Sequence, residues 1–310
     1  MTEPLLGNNN IGTSHQVNNN GLTQTTTITG PAYDPYGNLT TVTLKTIATT
    51  YTSDSGVSYT ANLHPTNSTL TDQANQTRKV GLSYLQQNGL WLVQHKDDYN
   101  SDGNTVYRRT TMSYTGYPAQ RILGLPLTSA TYAGPGTTLL AKSENVYDET
   151  ATYQDSNSQT VNYFVNAGAT VQHDDTNYGS GFTSRGNLTT VRQYATDGTT
   201  NRFVGRTSFD TNGNVRHLAD AAGNRQSMDL TDNFTNKPAG LGALNAYAYL
   251  TADPTGMKAG AQYEYYTGHV VKTFAPSVRT NPPKRWSPPR PMTSRIVRCA
   301  RPARRAVMSN

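Results

Sequence analysis

Cysteine is almost missing from this chain. Cys299 is the only one in 310 residues, so no disulfide can form within it. Apolar residues are also scarce, at 34% against ~45–50% in ordinary globular chains. No apolar run is long enough to cross a bilayer as a helix. Charged residues make up only 15%, which sets aside the charge-driven kind of disorder. Periodic runs of helix formers are scarce. The N-terminal MTEPLLGNNNIGTSHQ has neither a basic region nor an apolar core, so no secretory signal is expected there.

Thr, Asn, Ser, Gly and Gln fill the space left, with 20 Tyr against 6 Phe. Thr and Tyr favour strands, while Asn and Gly favour the turns between them. The expectation is an all-β, repetitive, surface-rich protein, in which Tyr replaces Phe because half-wet rings keep their hydroxyls solvated.

One short phrase recurs. An aromatic is followed four residues later by glycine, then Asn, then a branched apolar residue or Thr. It reads YDPYGNLTTV from Tyr33, YNSDGNTVY from Tyr99, FTSRGNLTTV from Phe182 and FDTNGNVRHL from Phe209. A looser copy, YEYYTGHVV from Tyr263, reaches Gly268 with the spacing grown by one. Such repetition names a building unit, a hairpin that must stack on neighbours to bury anything. Within Phe209–Asp229, Thr211-Asn212-Gly213 predicts a tight turn with both central residues at positive φ, and Ala221-Ala222-Gly223-Asn224 a second turn. Tyr33 with Leu39, and Phe182 with Leu188, are expected to face each other across the ladder. Gly37, Gly103, Gly186 and Gly213 are expected at one shared backbone position, where a Cβ is costly.

Along the chain, residues 1–30 read as a frayed, low-complexity leader. Residues 31–180 hold degenerate strand-like pieces and residues 181–274 the clear units, interrupted by a Pro- and Gly-containing insertion at 237–262. Residues 275–310 differ: they carry seven of the 16 prolines, nine Arg or Lys and no acid. The rest then holds 17 basic and 20 acidic residues, so the overall +6 belongs to this tail. One reading is a disordered basic arm that neutralises phosphates. The preferred one is translation out of frame: read two bases along, the codons of Pro291-Met292-Thr293 can spell Tyr-Asp.

These residues resemble the YD-repeat, or RHS-repeat, family of bacteria. Its signature is Tyr-Asp, a few residues, Gly, then a branched apolar residue, often followed by Asp-x-x-Gly-Asn. YDPYGNLTTVT and FDTNGNVRHLADAAGNRQ carry it closely. GTTLLAKSENVYDET and VQHDDTNYGSGFTSRGNLTTVRQY are similar in style. The resemblance spans roughly residues 31–274 and is sharpest over Phe182–Asp229. It implies large secreted or cell-surface proteins whose repeats wind into a hollow β-shell. That shell can enclose a C-terminal toxin domain, and relatives act in contact-dependent competition, adhesion or carbohydrate binding. The chain lacks the Asp-Pro-x-Gly-rich closing motif of toxin-bearing members, and five units are too few to close a shell. The expectation is therefore an extended, open part of such a shell, a truncated piece whose partners are further YD repeats of a longer parent chain. The repeat-defining positions are Tyr33, Gly37, Tyr99, Gly103, Phe182, Gly186, Phe209, Gly213, Gly223 and Gly268.

Chemistry-bearing patterns are weak. Asp98-Tyr-Asn100-Ser-Asp102-Gly103 has calcium-loop spacing, but position twelve is Arg109 where a bidentate acid is needed. His173-Asp174-Asp175 has no second His at ligand spacing. Asp97 with Asp98, or Asp210 with Asp220, could pair as glycosidase acids, yet acids recur at turns throughout. Gly81-Leu-Ser83-Tyr-Leu85 lacks the closing Gly of a nucleophile elbow, and Gly240-Leu-Gly242 the third Gly of a dinucleotide loop. Cys299 lies in the anomalous tail. Sequons at Asn38, Asn67, Asn75, Asn187 and Asn233 are expected by chance in such a composition. The expectation is a non-enzyme with no catalytic, metal or cofactor residues and little affinity for nucleic acid. It is an architectural module, or alternatively a binder of cell-surface carbohydrate through exposed tyrosines.

Overall fold

The computed structural model describes residues 2–4, 12–18, 20–54, 61–136 and 138–278. Its regular secondary structure is nearly all strand. β1 (Thr2–Pro4), β2 (Gly12–Val17), β3 (Thr23–Tyr33), β4 (Leu39–Thr52), β5 (His64–Asp72), β6 (Thr77–Gln87), β7 (Leu90–Tyr99), β8 (Val106–Tyr117), β9 (Ile122–Ala133) and β10 (Thr138–Tyr147) pair antiparallel in chain order. The connection after β10 holds β11 (Thr152–Gln154), β12 (Thr160–Asn162), β13 (Phe164–Val165) and a one-turn helix, Asp175–Tyr178. The main sheet resumes with β14 (Leu188–Tyr194) beside β10, then β15 (Asn201–Asp210), β16 (Val215–Ala219) and β17 (Arg225–Asp229). After β18 (Phe234–Thr235), β19 (Leu250–Ala252) joins β17, and β20 (Met257–Glu264) and β21 (Val270–Val278) follow. The result is one large, open, mostly antiparallel sheet of sequential hairpins.

Strand pairing departs from the hairpin rule twice, in the same way. β13 lies parallel to the end of β15, with Phe164 beside Phe209, and β18 lies parallel to the end of β20, with Phe234 beside Tyr263. In each case a short strand that precedes a hairpin fills the place where the hairpin's first strand runs out.

The aromatics explain the register. The ladder slips by one residue immediately before Tyr51, Tyr84, Tyr99, Tyr114, Tyr147, Tyr194, Phe209 and Tyr263. A bulge re-aims the side chain that follows it and adds twist. Four of these tyrosines use the new direction alike. The hydroxyls of Tyr51, Tyr84, Tyr114 and Tyr147 donate to the carbonyls of Thr23, Pro65, Val93 and Pro126, each on the preceding strand. This corrects the expectation that hydroxyls stay with water. Tyr is preferred to Phe at these places because it clips one strand to the last, and burial raises the phenols of Tyr84, Tyr114 and Tyr147. Threonines add cross-strand bonds, such as Thr110 Oγ1 to Thr131 Oγ1 at 3.2 Å.

The sheet is one layer thick over most of its length. Buried apolar residues among the described ones are Ala130, Tyr153, Val161, Tyr163, Ala219 and Leu230. Four of the six, Tyr153, Val161, Tyr163 and Ala219, form a single cluster. It lies where β11 and β12, a separate two-stranded sheet, cover β15–β17. The buried polar residues Thr190, Ser208, Asp210 and Thr211 surround it.

Boundaries shift from those expected. β2 and most of β3 lie in the stretch read as leader, so the sheet begins before residue 31. β19 and most of β20 lie inside the expected insertion, leaving the irregular part between β18 and β19. The basic tail beyond Val278, with Cys299, lies outside the described residues.

Candidate functional site

The turns are built around a carboxylate. Asp210 shows how. Its Oδ1 accepts the amides of Asn212 (3.0 Å) and Asn214 (2.9 Å), Gly213 N–H donates to Asp210 O, and Asp210 N–H donates to Asn214 O. The same four bonds recur at Asp34, Asp72, Asp155, Asp220 and Asp253. The fourth loop residue takes positive φ each time: Gly37, Asn75, Ser158, Gly213, Gly223 and Gly256. This is a type I turn closed by a left-handed residue and a bulge. It corrects the expected tight turn at Thr211-Asn212-Gly213, where Gly213 (+83°) has positive φ and Asn212 does not. The physical reason is the aspartate, whose carboxylate holds the intervening amides in the type I arrangement. The two-residue turn with both residues at positive φ occurs at Asn88 (+51°) and Gly89 (+79°), between Gln87 and Leu90.

The five copies of the phrase fall into distinct structures. Tyr33 pairs with Leu39 and Phe209 with Val215 across carboxylate loops of the Asp210 kind, with Gly37 and Gly213 in their left-handed positions. Tyr99 pairs with Val106 across a loop one residue longer, where Asp102 takes the amides of Asn104 and Thr105 and Gly103 has φ +67°. Asp197 does the same before Gly198. These two long loops share one further device. Lys79 lies over the Tyr99 ring (4.4 Å) and donates to Gly103 O, while Lys142 lies over Tyr194 (4.6 Å) and donates to Gly198 O. In the loosest copy Glu264 replaces Asp. Its longer side chain reaches the amide and hydroxyl of Thr267 in a loop grown by one, with Gly268 at φ +69°.

Phe182 and Gly186 are the exception, and here the hairpin expectation fails. No ladder joins Phe182 to Leu188. The segment is a loop, and Asp148 holds it: the amides of Arg185, Gly186 and Asn187 all donate to that carboxylate at 2.7–3.0 Å. A Gly at four residues from an aromatic is thus compatible with an ordinary hairpin and with a clamped loop. Asp232 plays the matching part later, taking the amides of Leu244 and Asn245 and the ammonium of Lys237.

Arg185 is the centre of that loop, and the repeat phrase gave no reason to single it out. Its guanidinium donates to the carbonyls of Phe182 (2.7 Å), Thr211 (2.8 Å), Gly179 (2.9 Å) and Tyr178. It lies between the rings of Phe164 and Phe182, at 5.3 and 5.2 Å. Burial lowers its pKa, opposed by the nearby charges of Asp148 and Asp210. A cleft of about 410 Å³ opens beside it, lined by Gln120, His173, Tyr178, Phe182, Asn187 and Asn212 among others.

The other sequence candidates are not brought together. Asp97 binds Arg109 and Asp98 binds Arg108, the two pairs starting from adjacent residues that alternate across the sheet. Asp102 and Asp220 are occupied by their own loops, as is Asp210, which is fully buried with Arg216 at 3.5 Å. His173 Nδ1 meets Asp175 at 2.7 Å, and Asp174 caps the one-turn helix. Hydrogen bonds from loop groups keep several turn carboxyls below their ordinary range. The Thr200 hydroxyl leads at Asp197, which falls to about 2, and the Asn38 amide leads at Asp34.

His217 carries a pH signal. Burial, with Arg225 and Arg216 nearby, pushes its pKa down to about 4. Its Nδ1 lies 3.2 Å from an Arg225 nitrogen and 3.1 Å from Ser227 Oγ, so the neutral ring accepts there. The unfolded chain binds a proton on this ring near the ordinary histidine pKa of ~6.5, and the folded chain does not until about pH 4. Stability from this group is full above pH ~6.5 and falls as pH drops through that window. The ring is part-exposed, so screening reduces the effect to roughly 1–2 kcal/mol. His217→Gln should flatten the slope of urea-unfolding stability between pH 6.5 and 4. An unchanged slope would assign it to other groups.

These features define an open, mostly antiparallel β-sheet protein with many of its turns closed by carboxylates. No protein-family model matches the sequence, and no curated protein does. Among solved structures, the chain is similar to a porin-like protein from Bacteroides uniformis ATCC 8492, with 12% identity over 88% of this chain and 92% of that one, at a TM-score of 0.22. It is also similar to TcdB2-TccC3 in two structures, with 14% and 13% identity over 86% of this chain and TM-scores of 0.27 and 0.25. It spans 13% and 14% of the length of those two chains.

Proposed function

We propose that this chain is a non-catalytic structural and interaction module of an exported YD-repeat protein, contributing wall strands to a shell used in toxin delivery or cell-surface contact. The observation that carries this reading is the sheet itself. Strand follows strand from β1 to β21, most side chains are at best half-buried, and the turn carboxylates are taken up by their own loops. A single layer with two edges gains most of its burial from further strands, so the partners are further repeats of a parent chain. Sedimentation of the purified chain tests it. The expected result is concentration-dependent association and no turnover of glycan, peptide or nucleic-acid substrates. A dilute, stable monomer that hydrolyses any of them would end the reading.

A second reading, a carbohydrate-binding or adhesin fragment, is favoured by tyrosines at the hairpin tips. Tyr36 is 90% exposed, Tyr33 75% and Tyr266 73%. Rings presented this way stack on sugars. Glycan-array binding that vanishes in Tyr36→Ala and Tyr266→Ala would support it, and a blank array would remove it.

A further inference from the structure

We propose that Asn88 is a site of spontaneous deamidation, selected by the fold from among chemically similar sites. The sequence has three Asn-Gly pairs, at Asn20, Asn88 and Asn212, and two Asp-Gly pairs, at Asp102 and Asp197. All five place a side-chain carbonyl carbon next to an unhindered glycine nitrogen, the arrangement that succinimide formation requires. Four are locked. The amides of Gly21, Gly103, Gly198 and Gly213 each donate to a backbone carbonyl three residues back, at 2.9–3.0 Å. The side chains of Asp102 and Asp197 are held by the loops they close, and Asn212 Oδ1 accepts from Thr170 at 3.2 Å.

Asn88-Gly89 differs from all four at the glycine amide that must react. It is the two-residue turn, and in that geometry the Gly89 amide points outward with no acceptor. The Asn88 side chain has no hydrogen-bond partner, and both residues are exposed. Water and hydroxide therefore reach the one amide proton whose loss starts the reaction.

The step balances without an oxidant or a catalyst. Gly89 N loses its proton to solvent base and forms a bond to Asn88 Cγ. The Cγ–Nδ2 bond breaks, and nitrogen leaves as ammonia after taking a proton from water. Water then adds to either ring carbonyl and opens the succinimide to aspartate or isoaspartate at position 88. The isoaspartate form adds a methylene to the main chain inside a turn that has room for two residues. The Gln87–Leu90 pair that closes β6 against β7 is then lost.

The test is incubation of the intact chain at mildly alkaline pH, followed by digestion and mass spectrometry that separates aspartate from isoaspartate. Conversion at Asn88 should outrun that at Asn20 and Asn212 by about fivefold, the factor one ordinary backbone hydrogen bond carries. In urea the three sites should converge, because the locks are gone. In protein enriched for isoaspartate, amide exchange should quicken in β6 and β7 and remain unchanged in β15 and β16. Equal rates in the folded chain, or the same ranking in urea, would overturn the proposal.

Discussion

Gly223→Ala lowers stability by about 2–4 kcal/mol, whereas Gly213→Ala and Gly37→Ala cost about 1 kcal/mol. All three glycines hold the same place in a carboxylate loop, at φ +81°, +83° and +83°. They share the cost of forcing an L residue into the left-handed region. They differ in what surrounds them. A Cβ on Gly213 or Gly37 meets nothing within 4 Å, but on Gly223 it meets Ser156 N at 2.9 Å and Asp155 C at 3.4 Å. Those atoms are backbone and cannot step aside cheaply. The close approach exists because the loop of Asp155 rests on the loop of Asp220. Ser156 N–H donates to Gly223 O at 2.9 Å, and Arg225 Nε reaches Asp155 Oδ2 at 2.9 Å. Pushing the loops apart therefore loses a hydrogen bond and an ion pair, and it loosens the Tyr153–Val161–Tyr163–Ala219 cluster beneath. Urea unfolding of the three variants measures the difference. Equal losses would mean that the two loops do not depend on this contact.

The comparison of those glycines shows how far the sequence reaches. Aromatic-to-glycine spacing picked out Gly37, Gly103, Gly186, Gly213 and Gly268, and the Ala221-Ala222-Gly223-Asn224 turn picked out Gly223; all six glycines have positive φ. An all-β chain of hairpins was legible for the same reason: Thr, Tyr, Asn and Gly leave few other options. The type of turn was not legible from Asn-Gly alone. The dipeptide at Asn88 and the one at Asn212 are identical, and the aspartate two residues before Asn212 decides between them. That signal was present in two of the five copies, as the Asp after Tyr33 and the Asp after Phe209, and its role is chemical: it is the acceptor for two loop amides. The clamped loop around Gly186 was out of reach of local reasoning, because its acceptor, Asp148, lies 37 to 39 residues earlier. The parallel strands β13 and β18 are two residues each, too short for periodicity to register.

Long-range closure of this kind concentrates on one side chain. Arg185→Ala should cost about 2–4 kcal/mol, and Arg185→Lys should recover little of it. The guanidinium satisfies four carbonyls from two separate segments, residues 178–182 and Thr211. Its planar fork reaches them at once, whereas an ammonium on a flexible stem has three donors and no fixed spread. The two ring faces of Phe164 and Phe182 add an attraction worth roughly 0.5–2 kcal/mol, and that part also favours the flat, weakly hydrated cation. Arg185→Met separates the contributions. It keeps much of the apolar stem against the rings and removes every donor. If the carbonyl bonds dominate, Met should be nearly as damaging as Ala. If ring packing dominates, Met should be close to wild type. Hydrogen exchange then localises the effect: protection should fall first at Arg185–Asn187, whose amides bind Asp148, and at Thr211, which donates to Val165 O. β3–β6 lie far along the sheet and should keep their protection, because a single-layer sheet passes strain mainly between neighbouring strands. Loss of protection there as well would show that the sheet unfolds as one cooperative unit, and the Arg185 loop would then be a lock for the whole array.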